Sequence, residues 1–122
     1  MLIINQANGS AAETFALMWK NTKLGPVVGL RTFGGGVGGA LWSPRMIDGG
    51  SITIPTRGGY NPITGQWEIE NEGVRPDHEV SISARDFAEG RDPQLDKAIE
   101  LALAGASKQK LNRPAAPKHP KK

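Results

Sequence analysis

Cysteine is absent from the 122-residue chain, which excludes disulfides and thiolate metal sites. Long apolar runs are absent too. No stretch approaches the ~20 residues that cross a bilayer, so no membrane span is expected. No basic n-region precedes the first strand-like run, so no signal peptide is visible and the compartment stays open between cytoplasm and periplasm. Histidine is scarce: His78 stands in Pro76-Asp77-His78-Glu79, and His119 lies near the end. A surface role fits both, which leaves no imidazole where a serine nucleophile would need one. From Lys108 to Lys122 there are six Lys or Arg, no acid and no aromatic. Without aromatics to stack on bases, this basic stretch reads as a solvated extension, and no nucleic-acid partner is expected.

The net charge of +3 therefore misrepresents the body of the chain, where nine basic residues face twelve acidic ones. The expected organisation is one domain over residues 1–105 and a disordered basic tail over 106–122. Glycine (16) and proline (9) are plentiful, which points to loops and turns.

Leu2–Gln6 is a short aliphatic run ended by Asn8-Gly9, the pattern of a buried strand. Ala11–Asn21 follows as a helix, with Ala12, Phe15, Ala16 and Trp19 spaced as one apolar stripe. Leu24-Gly25-Pro26 ends it, and Val27–Leu30 is a second buried strand. Strand, helix and strand within about 30 residues predict a βαβ unit with a parallel pair, hence an α/β fold. Glycine loop 34–39, a Trp42-Ser43-Pro44 turn and an Asp48-Gly49-Gly50 turn come next. Ser51–Pro55 alternates, with Ile52 and Ile54 on one face; Gln66–Glu70 alternates, with Trp67 and Ile69 opposite Glu68 and Glu70. His78–Ile82 is a further strand candidate. Asp92-Pro93 starts a helix as N-cap and N1, with Leu95, Ile99 and Ala102 as its inward stripe beside Ala98; it is expected to fray after Ala104-Gly105.

Ser10 sits at the strand-to-helix corner, with Glu13 three residues on. Two roles are open. It is a good N-cap, and Ser-x-x-Glu is a capping box. It is also placed to attack a carbonyl beside the unpaired N–H of Ala11, which would hold the oxyanion. The Gly-x-Ser-x-Gly elbow is not met. Gly34, Gly36 and Gly39 spell G-x-G-x-x-G, but no helix follows and no acid stands about 20 residues on, so a dinucleotide site is excluded. These glycines instead let backbone approach a substrate strand or a neighbouring loop. Glu68, Glu70 and Glu72 lack the spacing of a metal site and read as the wet face of an edge strand, so neither metal nor cofactor is expected.

The motifs Asn5-x-x-x-Gly9-Ser10-Ala11-Ala12-Glu13, Leu24-Gly25-Pro26-Val27-Val28-Gly29-x-Arg31-Thr32-Phe33-Gly34-Gly35, Ile47-Asp48-Gly49-Gly50-Ser51-Ile52-Thr53, Trp67-Glu68-Ile69-Glu70-Asn71-x-Gly73-Val74-x-Pro76-Asp77 and Asp92-Pro93-Gln94-Leu95 occur in order. Together they resemble the C-terminal catalytic core of tricorn-type peptidases, within the tail-specific (C-terminal processing) serine peptidases. The resemblance covers about residues 2–104. It implies a crotonase-like fold, parallel strands layered with helices, present here as a partial domain with extra β-strands. It implies a peptide or protein substrate and acyl-enzyme hydrolysis. Ser10 matches the nucleophile, the Ala11 N–H matches an oxyanion donor, and Gly34, Gly35 and Gly36 match the loop facing the site. Glu70 is the better match for the acid that orients the base, and Glu68 the second. The tail-specific branch places a lysine base where this chain has Gly35. The tricorn branch takes a histidine from well before the serine, so the base is expected from a missing N-terminal part of the same protein or from a second copy in a homo-oligomer. Tricorn carries an acid directly after the serine; Ala11 departs from that, and no preference for basic side chains follows. The rival expectation is a non-catalytic remnant or assembly module in which Ser10 only caps its helix. An acyl-thioester enzyme of the same fold class is a third, less favoured by a serine-centred motif.

Overall fold

A computed structural model describes residues 1–39, 44–107 and 114–118. In chain order its elements are β1 (Leu2–Ile4), α1 (Ala11–Asn21), β2 (Val27–Gly29), β3 (Val37–Gly39), β4 (Pro55–Gly58), β5 (His78–Glu79), α2 (Ala84–Ala88) and α3 (Pro93–Ala106). β1 and β2 run parallel, with Leu2 opposite Val27 and Ile4 opposite Gly29, and α1 is the crossover between them. β5 joins the other edge of β2, also parallel. The expected βαβ unit is therefore present, and the chain is a small α/β domain on a parallel sheet. As the central strand, β2 is buried along its whole length, as parallel strands are when covered on both faces. Ile4, Ala16, Val27 and Val74 form the core cluster, flanked by Leu2, Leu17, Trp19 and Ile69.

The first strand stops at Ile4 rather than Gln6. Asn5 N–H donates to Asn8 Oδ1 at 2.7 Å and Ala7 N–H to Asn5 Oδ1 at 2.9 Å, and these side-chain turns displace ladder pairing. β2 stops at Gly29, one residue short of the expected Leu30. β3 and β4 form a separate antiparallel pair. Of the expected strand Ser51–Pro55 it uses only Pro55: Ser51 makes one bridge, to Arg45, while Ile52 and Ile54 stay exposed. Alternation makes a half-buried strand only where another layer covers one face, and no layer among the described residues covers Ile52 or Ile54. Gln66–Glu70 is likewise not a strand beyond a Tyr60–Trp67 bridge. The chain turns there, with Ile69 at φ 72° and Glu70 N–H returning to Glu68 O at 2.8 Å. His78–Ile82 pairs only over His78–Glu79 before α2 begins, capped by Ser83 and Asp86.

Both long helices keep their expected starts but are rotated by one residue, about 100°. α1 buries Glu13 and Ala16 and leaves Ala12 and Phe15 exposed, with Trp19 half-buried. α3 buries Gln94 and Ala98 and leaves Leu95, Ile99 and Ala102 exposed. In each case a polar side chain turns inward to serve backbone groups of another segment. For α3 this is Gln94 Nε2, which donates to Val80 O at 2.7 Å. α3 runs to Ala106, slightly past the expected fraying point. Part of the expected turn at Trp42-Ser43-Pro44, most of the basic tail and His119 lie outside the described residues.

Candidate active site

The turn after β1 delivers Gly9 and Ser10 to the first turn of α1. Ser10 has φ 54° and ψ −119°, not the extended backbone of an ordinary N-cap. A non-glycine residue held there costs on the order of 1–3 kcal/mol and persists only where its surroundings enforce it. The Glu13 N–H goes to the Ser10 carbonyl at 3.0 Å, and the Ser10 hydroxyl makes no cap hydrogen bond. The expected capping-box arrangement is nonetheless present: the Ser10 side chain faces the Glu13 N–H, and the Ser10 N–H donates to Glu13 Oε2 at 3.0 Å. The Ala11 N–H, one of the orphan donors at the helix start, has no partner among the described residues.

Glu13 does more than cap. Its side chain is fully buried. Oε1 accepts from the Thr32 hydroxyl at 2.6 Å and Gly34 N–H at 2.7 Å; Oε2 accepts from Gly35 N–H at 2.8 Å as well as from Ser10. Burial pushes the carboxyl up, but the four hydrogen bonds, from Thr32, Gly34, Gly35 and Ser10, outweigh it and hold it below its ordinary value of 4.5. Thr32 is itself buried, and its hydroxyl accepts from Val74 N–H at 2.7 Å.

A second carboxylate holds the rest of the glycine loop. Glu70 Oε2 accepts from Gly36 N–H at 2.8 Å and Val37 N–H at 2.9 Å. Asn71 N–H closes onto Gly34 O at 2.8 Å, and Arg31 Nη1 donates to Glu72 O at 2.8 Å. The glycine requirement is steric. A Cβ on Gly36 would sit 2.5 Å from Glu70 N and 2.7 Å from Glu68 O, so the loop packs backbone to backbone on the 68–70 turn. Of the two expected uses of these glycines, approach to a neighbouring loop is the one seen.

Ser10, Ala11, Gly35, Gly36, Arg57 and Glu68 line one cleft of about 440 Å³. Glu70 lines an adjoining cavity of about 490 Å³ with Trp67, Val37 and Arg57. Glu68 Oε1 accepts from Asn61 Nδ2 at 2.9 Å. The two glutamates thus do not share a wet strand face: Glu68 is at the Ser10 cleft, and Glu70 is on the loop. His78 sits half-buried in β5, and Glu72 is exposed. Among the described residues no group of three His, Asp or Glu could hold a metal ion. Sequence reasoning gave Glu13 a capping role only and gave no role to Thr32, Arg31 or Arg57. For Glu13 a signal existed, because it lies three residues before Ala16 and four before Leu17, on one helix face.

Residues 1–80 match the sequence profile of peptidase family S41. Over 101 residues the chain is 45% identical to a tricorn-like protease C-terminal subunit of Sulfurisphaera tokodaii, covering 83% of this chain and 12% of that protein. It is 44% identical to tricorn protease homolog 1 of Streptomyces coelicolor, covering 84% and 9%. It is 38% identical to the tricorn protease of Thermoplasma acidophilum, covering 83% and 9%. The chain thus spans about a tenth of the length of these curated relatives. A crystal structure of the tricorn protease superposes with a TM-score of 0.78 at 34% identity, over 87% of this chain and 10% of that one. The photosystem II D1 C-terminal processing protease superposes at 0.50 with 28% identity, over 66% and 20%.

Proposed function

Because the chain belongs to peptidase family S41, in its tricorn branch, we propose that it is the nucleophile-bearing part of a serine-type peptidase with a crotonase-like fold. The observation that carries this is Ser10, an exposed serine held at φ 54° at the start of α1, beside the open Ala11 N–H. An ordinary N-cap serine has extended backbone; Ser10 at φ 54° departs from that, which favours the catalytic reading over the remnant.

In the reaction, Ser10 Oγ adds to the peptide carbonyl carbon while its proton passes to a base. The carbonyl oxygen becomes an oxyanion held by the Ala11 N–H. The C–N bond then breaks, the amine leaves with the proton, and water hydrolyses the acyl-serine. The N–H groups of Gly34, Gly35, Gly36 and Val37 are engaged by Glu13 and Glu70, so the second oxyanion donor comes from elsewhere. In this reading the base is a histidine from another segment of the same protein or from a second copy. Glu68 orients it in this reading, because Glu68 shares the Ser10 cleft whereas Glu70 lines the adjoining cavity and holds the loop. Residues 1–105 make up the peptidase portion, and the basic stretch beyond takes no part.

A fluorophosphonate probe tests the proposal. The complete natural gene product is expected to label at Ser10, and the Ser10→Ala variant not to label. The isolated chain is expected to stay unlabelled, since loss of the base costs several orders of magnitude. An unlabelled complete product would refute the peptidase reading.

A further inference from the structure

Glu13 touches no substrate in this reaction, yet it is the most fully engaged side chain of the site. We infer that Glu13 is a positioning residue for Ser10, holding the nucleophile's backbone and the facing glycine loop in one geometry through a single carboxylate. The inference rests on Ser10 being the nucleophile.

Oε2 takes both the Ser10 N–H at 3.0 Å and the Gly35 N–H at 2.8 Å, so one oxygen ties the corner to the opposite wall of the cleft. Oε1 takes the Gly34 N–H and the Thr32 hydroxyl, and Thr32 is locked in turn by Val74 N–H. A helix cap needs only the bond to Ser10. The other three cross to a segment about 20 residues away in sequence and build the cleft, which capping alone does not require. Ser10 needs this hold because φ 54° is a conformation that serine leaves readily for the extended N-cap. Such a change would turn Oγ and the Ala11 N–H away from a shared carbonyl. An amide cannot replace the carboxylate. Glutamine has one acceptor oxygen, so its NH2 would face backbone N–H donors on one side or the other.

The test uses the complete natural gene product with Glu13→Gln, measuring peptide hydrolysis and the rate of fluorophosphonate labelling per folded molecule. The expected result is a fall of about a hundredfold in kcat and in labelling rate, the scale of a misplacement near 1 Å, with KM held within about twofold. A lower Tm with unchanged labelling rate and kcat would overturn the inference and leave Glu13 a purely structural residue. If Glu13→Gln does not fold, Glu13→Asp, which keeps the charge one methylene short, is read the same way: kcat falling at constant KM supports the inference, and constant kcat overturns it. The two failures are distinguishable. If the unmodified product does not label, the peptidase reading falls and this inference with it; if it labels and the variants label equally fast, only the inference falls.

Discussion

The parallel sheet and the glycine-rich arm of β3 and residues 51–70 are held by different forces. In the sheet, Val27 and Val28 are fully buried and Ile4 and Ala16 nearly so, and cohesion comes from apolar area removed from water. In the arm, every residue from Ser51 to Tyr60 is exposed. Its order comes from polar staples: Glu70 on the N–H groups of Gly36 and Val37, and Glu68 on Asn61. Glu13 joins the two regions, with its helix packed on the sheet and its carboxylate on the loop. The Ser10 corner therefore sits where a rigid apolar layer meets a backbone loop shaped by buried or half-buried carboxylates.

The largest expected effect is in the sheet. Ile4→Ala should destabilise the chain by about 3 kcal/mol, whereas Ile54→Ala in the arm, at an exposed site, should change stability by less than about 0.5 kcal/mol. Chemical denaturation of both variants checks this, and equal losses would erase the contrast between the regions.

Next comes the acid response of the junction. The Glu13 carboxyl is held below 4.5 in the folded chain. It therefore binds its proton more weakly folded than unfolded, and the stability it supplies is complete above the unfolded value. That stability is lost as pH falls through the lower folded value. Unfolding free energy measured from pH 6 down to pH 2 should decline below about 4.5, and Glu13→Gln should flatten that part of the curve. The same slope in both proteins would show that other carboxylates govern the decline.

A smaller loss than that of Ile4→Ala should come from Glu70→Gln. One charge-assisted acceptor weakens at a half-buried site, which costs about 1 kcal/mol. Hydrogen exchange should speed up at the Gly36 and Val37 amides while those of β2 stay protected. In the complete gene product Glu68→Gln should slow fluorophosphonate labelling more than Glu70→Gln does; the reverse order would return the orienting role to Glu70.

Much of this was legible in the residues. Ser10 and Asp92-Pro93 mark helix starts through local hydrogen bonding within four residues, and both helices begin where those residues place them. Short aliphatic runs ended by turn residues predict β1 and β2, and their spacing predicts the parallel pair. Ordered motifs identify the family and single out Ser10. Which face of each helix turns inward was decided only by the tertiary structure. An apolar stripe predicts burial of Phe15 and Leu95. Glu13 and Gln94 are buried instead, because segments distant in sequence present backbone N–H and C=O groups that a buried polar side chain must satisfy. The same long-range partners separate Glu68 from Glu70, which alternation alone places side by side. Sequence by itself determined where Ser10 stands in the chain and how its helix starts. The fold decided its strained backbone and the carboxylate that holds it, since the bonds to Thr32, Gly34 and Gly35 exist only once helix and loop have met.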